Sequence, residues 1–476
     1  MKLYNTLTKS IDKFVPNDDK IVRIYTCGPT VYAKQHVGHY AAYVYWDILI
    51  RLLAAEGYAV QRVMNLTDVG HLVSDADEGE DKMEKGARAE GLTAWQVAEK
   101  WSDDFLKNFR NLNFIEPMKI AKATDYIPQN FDFIRILKEK GYTYQIDDGI
   151  YYDTSKFPRY ADFAKLDLKS LKAGARVEHN PQKRNPSDFA VWKFSPKGVK
   201  RDMEWETPAD LMDDNEKGRM GFPGWHLECS VIIKQELGTT IDIHTGGIDH
   251  IPVHHTNEIA QSEAANDAPL SRFWLHNHFL TADGKKMSKS LGNVYSLDDV
   301  RDKGFDEMDF KLWALQGHFM SDRDFTFEGL AAAHNRLNSW KNSAELRWQT
   351  SDVNDEGQFE IMDNLRSQAT EELLDNLNTP EALKYIDEAI DAVTKDPSNI
   401  NHFALTALFD FVDLYLGLDI LGNTPDITDE QKELIAKRES ARKNKDYKES
   451  DKIRDELLSQ NIELRDSPIG PIWNRK

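Results

Sequence analysis

The alternation of apolar and polar residues changes character several times along this chain. Residues 21–27 (IVRIYTC) alternate and are rich in β-branched side chains, which predicts a strand. A Gly28-Pro29 turn follows, and Val37–Ala55 then carries apolar residues at helical spacing, with Tyr43, Trp46, Ile48 and Leu52 near one face. Residues 59–65 (AVQRVMN) predict the next strand. Strand, helix and strand in that order predict a parallel α/β sheet of the nucleotide-binding type. Residues 87–141 read as helical, and 148–205 read as an irregular, basic insertion broken by Pro158, Pro181, Pro186 and Pro196. Strand character returns at 239–243 (TTIDI) and 273–279 (FWLHNHF), and from about residue 326 onward the period is 3.6. Thr379-Pro380 marks one helix start, since proline suits the first helical position. Asn423–Thr428 reads as a linker into a final charged helix and a short tail ending Trp473-Asn474-Arg475-Lys476.

At 476 residues the chain exceeds one hydrophobic core, so about two to four domains are expected. No apolar run is long enough to span a bilayer, and the opening MKLYNTLTKSIDKF lacks the apolar stretch of a signal peptide. Two cysteines, Cys27 and Cys229, make no disulfide framework, which points to the reducing cytoplasm. The net charge of −20 argues against a nucleic-acid partner, but its distribution changes that reading. Residues 165–201 hold ten Lys/Arg against three acids, and residues 432–476 hold twelve against nine. Basic patches on an acidic body fit a polyanion gripped at a few places, although each patch alone is equally an ordinary solvated face.

Candidate chemistry lies in three places. His36-Val37-Gly38-His39 stands where the loop after the first strand enters a helix, where backbone N–H groups and the helix dipole favour phosphate. Gly38 would let a planar base or a ribose approach, and both imidazoles can donate to phosphate oxygens. Taken alone, the string is as well explained as a capped helix end. Lys286-Met287-Ser288-Lys289-Ser290 follows a glycine turn and presents ammonium groups suited to a transient pentavalent phosphate. By itself it is a solvated turn. Cys27, Cys229, His254 and Glu258 are candidate zinc ligands, with His254 and Glu258 at i and i+4 so that one helical face presents both. The bland alternative is a pair of small buried thiols.

The histidine and lysine strings together, in this order and across an α/β unit, are the signature of class I aminoacyl-tRNA synthetases. The chain resembles the cysteinyl-tRNA synthetases within that class, essentially from end to end. The matching stretches include Thr26–Tyr32, His36–His39, Gly174–Val177, Lys183–Pro186, Gly224–Ser230, Asp242–His244, His254–Ser262, Lys286–Ser290, Asn378–Leu383 and the tail from Ala441 to Lys476.

The resemblance implies an α/β fold with a Rossmann-type catalytic domain over residues 1–120 and 206–300, and an inserted connective lobe at 121–205. A stem-contact region at 301–345, a helical bundle at 346–424 and an anticodon-binding domain at 425–476 would follow. It implies one Zn2+ per subunit on Cys27, Cys229, His254 and Glu258, reading the thiolate of substrate L-cysteine. Catalytic phosphate contacts fall to His36, His39, Lys286 and Lys289, and ATP contacts to Gly28, Gly38, Asp249 and Lys289, with Mg2+ accompanying ATP. Thr67 and Trp225 would hold the substrate cysteine, and Trp473 would stack on an anticodon base of cysteine tRNA. The expected state is a cytoplasmic monomer. For Trp225 a plain core position, and for Trp473 a tail anchor packed on the preceding helix, stand as alternatives.

The chain departs from the family pattern in places. Thr67-Asp68 continues as Val69-Gly70-His71-Leu72 into an acidic run ending at Lys82. Between Asp249 and His254 stands His250-Ile251-Pro252-Val253, and Thr256 replaces a familiar glutamate. His71, His244, His250 and His255 could tune a zinc thiolate or be satisfied core histidines. Two rival readings share the catalytic half: a ligase passing cysteine to an amino sugar, and a catalytically dead RNA-binding paralogue. The anticodon-binding end argues against the first, the intact histidine and lysine strings against the second.

Overall fold

A computed structural model describes residues 1–70, 81–166, 180–213, 218–288, 291–349, 356–395, 400–467 and 470–476. His71, Gly174–Val177 and Lys289 lie outside the described residues. The chain separates into two compact units, one of residues 1–298 and 319–324, the other of residues 299–318 and 325–476.

The first unit is built on a parallel sheet of five strands, in the order Ser271–Asn277, Ile241–Gly247, Ile21–Thr26, Ala59–Leu66, Lys119–Lys122. Strand order therefore reverses between Ile21–Thr26 and Ile241–Gly247. The crevice beyond the carboxyl ends of such a pair is where open α/β sheets bind ligands. Helix Val37–Ala55 has the bounds its periodicity predicts, and Tyr43, Trp46, Ile48 and Leu52 are all buried. The strand Lys119–Lys122 was hidden inside the stretch read as helical. Its four residues, KIAK, are too short and too charged to show a period between helices Ala94–Asn111 and Ile127–Glu139.

The insertion is not irregular. It carries a five-stranded antiparallel sheet ordered Thr143–Ile146, Gly149–Tyr152, Phe189–Phe194, Met220–Pro223, Trp205–Glu206. Every residue of Gly149–Tyr152 and Phe189–Phe194 is buried. A strand enclosed on both faces loses the apolar–polar alternation, which is why it escapes a period-2 reading. Trp192 is fully buried, and enclosing a side chain of that size contributes about 1.5–3 kcal/mol or more. Gly70 and Asp81, which bracket the departure from the family text, meet at Arg201: a Cβ on Gly70 would lie 2.5 Å from Asp81 Oδ2 and 2.6 Å from an Arg201 nitrogen.

The second unit is mainly helical, with helices Glu307–Leu315, Phe327–Glu345, Glu356–Leu374, Thr379–Thr394 and His402–Leu416. Asn401 caps the last of these by accepting from Phe403 N and Ala404 N, and Gly417 ends it in the left-handed region at φ 64°. The linker at 423–428 leads into two helices, Asp429–Lys443 and Tyr447–Ser459, rather than one. The tail is an antiparallel hairpin, Ile462–Ser467 with Gly470–Arg475. No described helix is long and apolar enough to cross a membrane.

Candidate metal and nucleotide site

Cys27 is the first residue past the Ile21–Thr26 strand, and its N–H bonds Thr245 O on the neighbouring strand at 3.1 Å. It therefore sits at the reversal point of the sheet. Cys229 comes from helix Leu227–Glu236, and His254 and Glu258 from the π-turn Ile251–His255 running into helix Thr256–Asn266. All four are buried, and each offers a ligand atom within 4.8 Å of the others. Cys229 Sγ lies 3.6 Å from His254 Nε2, and His254 Nε2 lies 2.8 Å from Glu258 Oε1.

The sulfur–nitrogen separation suits a small tetrahedral ion, while the His254–Glu258 pair stands at hydrogen-bond distance and would open to admit one. Zinc bonds of about 2.3 Å to sulfur and 2.0–2.1 Å to nitrogen put donors roughly 3.3–3.8 Å apart. The carboxylate gives a second indication. Glu258 Oε2 has His244 Nε2 at 2.9 Å, but buried Oε1 has no aligned hydrogen bond among the described residues. Without a metal, the His254 ring 2.8 Å away is the group that faces this oxygen, and a bound cation would take over that role. The donor set, two thiols, an imidazole and a carboxylate, is one that zinc takes readily.

Charge within the cluster is shared. Burial works against His254, but the Glu258 carboxylate and the Cys229 sulfur hold its imidazolium up to about 10. Burial likewise pushes Glu258 up, and the His244 and His254 rings more than offset it, holding the carboxyl well below its usual range. Burial and the hydrogen bond with Cys229 push the Cys27 thiol up, while the same bond pulls Cys229 down. The cluster is thus poised with one sulfur already disposed to ionise.

Several contributors lie outside the predicted ligand set. His226 Nδ1 meets His254 Nδ1 at 3.0 Å, fixing which nitrogen of His254 faces the donors. His255 Nδ1 meets His276 Nε2 at 2.7 Å, and His276 Nδ1 meets Thr6 Oγ1 at 2.8 Å. Glu228, next to Cys229, is buried with neither carboxylate oxygen hydrogen-bonded among the described residues, and burial raises its carboxyl well above the usual range.

Trp225 lies over this cluster, its ring 4.6 Å from that of His254 and 5.0 Å from that of His226. It is half-buried, so one part of the indole faces the core and another remains open. Thr67 is buried beside the turn after the first strand, exchanging backbone bonds with Val31 and Pro29 and accepting from Asn65 Nδ2 at 3.0 Å. Gly28 is obligatory, because a Cβ there would stand 1.6 Å from Asn65 O.

The two phosphate motifs meet. His36 caps helix Val37–Ala55 through Nδ1, which accepts from Gly38 N at 3.1 Å, and its ring stacks on His39 at 3.7 Å. Val37 N donates to Tyr295 O at 2.8 Å, and a Cβ on Gly38 would come 2.7 Å from the Met287 methyl. Lys286 is exposed at the end of the hairpin that pairs Leu280–Ala282 with Lys285–Lys286. Buried Asn293, unmarked by any motif, holds this loop by accepting from Ser288 N and donating to Ala282 O. Asp249 is exposed in the turn Ile248–His250 directly after the Ile241–Gly247 strand.

Trp473 lies as its tail-anchor alternative has it. Its ring is 5 % exposed, packed with Ile427, Ile453, Leu457 and Ile462, and its backbone exchanges hydrogen bonds with Gln349. Packed in this way, the side chain anchors the C-terminal hairpin.

Residues 13–335 match the model of the class I (C) tRNA synthetase catalytic domain, and residues 424–469 match the cysteinyl-tRNA ligase anticodon-binding domain. A cysteine--tRNA ligase 1 of Burkholderia lata is 41% identical over 99% of this chain and 96% of its own length. The cysteine--tRNA ligase of Treponema denticola is 36% identical over 100% of this chain and 99% of its own length. Among solved structures, methionyl-tRNA synthetase of Mycobacterium tuberculosis bound by methionyl-adenylate superposes with a TM-score of 0.61 at 13% identity, over 84% of this chain and 93% of that one. A LeuRS–tRNA–LeuAMS complex from Agrobacterium radiobacter K84 gives 0.63 at 12% identity, over 86% and 85%.

Proposed function

The chain belongs to the cysteine--tRNA ligase family of class I aminoacyl-tRNA synthetases, and from that premise we propose how its residues divide the work. L-cysteine binds with its thiol toward Cys27, Cys229, His254 and Glu258, under the Trp225 ring, with Thr67 holding its amino or carboxyl end. Zn2+, one per chain, suits these donors; when bound it supplies a position that deprotonates a coordinating thiol and prefers sulfur to a hydroxyl oxygen. Apolar contacts alone discriminate only about 10–200-fold between close analogues, against the roughly 10⁴-fold that translation needs.

ATP lies along the crevice at the sheet reversal, its nucleoside near Asp249 and its phosphates against Gly28, Gly38 and the start of helix Val37–Ala55. The cysteine carboxylate attacks the α-phosphate and pyrophosphate leaves; Mg2+ bound with ATP would help to offset charge on the leaving group. Lys286 and Lys289 offset the charge that builds on the phosphate oxygens in the transition state, and the His36 and His39 rings stabilise it as hydrogen-bond donors. The adenylate is then attacked by a ribose hydroxyl of the terminal adenosine of cysteine tRNA, releasing AMP. The match to an anticodon-binding domain over 424–469 favours tRNA over an amino sugar as acceptor. The working form is a monomer in the cytoplasm.

The observation that carries this reading is the convergence of four metal-type donors at the sheet reversal, beside the meeting point of the histidine turn and the lysine loop. Cysteine-dependent ATP–pyrophosphate exchange, followed by charging of a cysteine tRNA transcript, tests it. Absence of exchange sinks the activation chemistry; exchange without charging sinks the assignment of the acceptor.

A further inference from the structure

The donor cluster does not end with the four residues that the sequence singles out. One step deeper, Cys27, His244, His255 and Glu258 also place one ligand atom each within 4.8 Å of one another, and all four are buried. Cys27 Sγ lies 3.4 Å from His255 Nε2, His244 Nε2 lies 2.9 Å from Glu258 Oε2, and His255 Nε2 lies 3.9 Å from Glu258 Oε1. These separations bracket the roughly 3.3–3.8 Å edges expected around a tetrahedral zinc.

The orientation of His255 is that of a metal ligand. A neutral imidazole that donates from Nδ1 leaves a lone pair on Nε2. His255 Nδ1 faces His276 Nε2 at 2.7 Å, and His276 Nδ1 faces Thr6 Oγ1 at 2.8 Å, so a chain of partners can fix Nε2 as the acceptor aimed at Cys27. His244 is held on its other side by Trp274, whose ring stacks on it at 4.4 Å and 15°. Both histidines contact donors of the outer set, His244 at Glu258 Oε2 and His255 at Cys27 Sγ, which places their own ring nitrogens beside the two ligands that the sets share.

We propose that Cys27, His244, His255 and Glu258 form a second metal-binding position that overlaps the first. The two sets share Cys27 and Glu258, so they hold one borderline-soft divalent cation at a time, in either of two places. Glu258 touches histidines of both sets, Oε1 lying 2.8 Å from His254 Nε2 and 3.9 Å from His255 Nε2, and Oε2 lying 2.9 Å from His244 Nε2. An ion that loses Cys229 keeps four donors one step further in. This inference rests on the metal reading above and extends it to ligands that reading does not use.

The test titrates the full chain, stripped of metal, with Co2+ and then Zn2+, following bound ions per chain and the thiolate-to-cobalt absorption band. The parent chain is expected to bind one ion. Cys229→Ala is expected to bind one ion still, more weakly, with the thiolate band reduced to about half because one sulfur of two remains. Adding His255→Ala in that background is expected to abolish binding, while His255→Ala alone retains the ion on the outer set. If Cys229→Ala binds no cobalt while its circular dichroism matches the parent, the second position does not exist. Binding by Cys229→Ala that survives loss of both His244 and His255 overturns the proposal equally. Cys229→Ser, nearly isosteric, serves should alanine perturb the fold. A parent chain that binds no cobalt defeats the metal reading itself, a result distinct from failure of the inner set alone.

Discussion

The carboxyl ends of the parallel sheet and the C-terminal hairpin both bury residues that sequence motifs mark for function, and they bury them for different reasons. At the sheet the enclosed groups are two thiols, several imidazoles and the carboxylates of Glu228 and Glu258. Such groups lose hydration on burial and regain it only through partners, and Glu258 Oε1 lacks an aligned one. At the hairpin the enclosed group is an indole among isoleucines and a leucine, and its burial is stabilising without further explanation. A motif residue found buried is thus informative only through its chemistry. A hidden Trp packs as core; a hidden Cys–Cys–His–Glu set could hold a metal ion.

Four substitutions probe that contrast, from the largest expected loss of activity to the smallest. Cys27→Ser removes the donor common to both metal positions, and cysteine activation should fall by about 10³-fold or more in pyrophosphate exchange, with no bound metal on elemental analysis. Near-parental exchange would erase the distinction between the two regions. Lys286→Ala should lower kcat for activation by about 10²–10³-fold with little change in KM for cysteine, since its ammonium acts on charge that develops late. An effect confined to KM would make it a ground-state contact. Trp225→Ala should raise KM for cysteine about 10–100-fold and leave KM for ATP in place, which steady-state kinetics separate directly. Trp473→Ala should leave activation unchanged and cost about 3–5 kcal/mol in a denaturant melt of the helical unit, with Trp473→Phe milder. Unchanged stability with selectively poorer tRNA charging would return Trp473 to a recognition role.

The sequence exposes some of this architecture and hides the rest for identifiable reasons. The first strand, the helix Val37–Ala55 and the second strand carry long uninterrupted periods, so they are readable. Lys119–Lys122 is too short for a period, and Phe189–Phe194 is too enclosed for one. The four outer donors stand in recognisable strings, and the structure gathers them. His255 sits in one of the same strings and His244 in a separate one, Asp242–His244, yet nothing in spacing shows that the sheet register puts His244 beside Tyr25 and close to Glu258. Asn293 and His276 stood in no marked string, because a side chain that braces a loop or aims another ring is defined by tertiary contact alone. Trp473 is hard to read for the opposite reason. Its neighbours along the chain are polar and basic, while its neighbours in space, Ile427, Ile453 and Leu457, lie many residues away.

The central claim is that the buried cluster reads the thiol of the substrate through a metal ion. Its most direct test is cysteine-dependent ATP–pyrophosphate exchange by the full chain before chelation, after chelation, and after Zn2+ is restored, with serine offered in parallel. The expected result is exchange with cysteine that disappears with the metal and returns with it, and negligible exchange with serine throughout. Undiminished cysteine exchange by protein shown to be metal-free would contradict the claim outright.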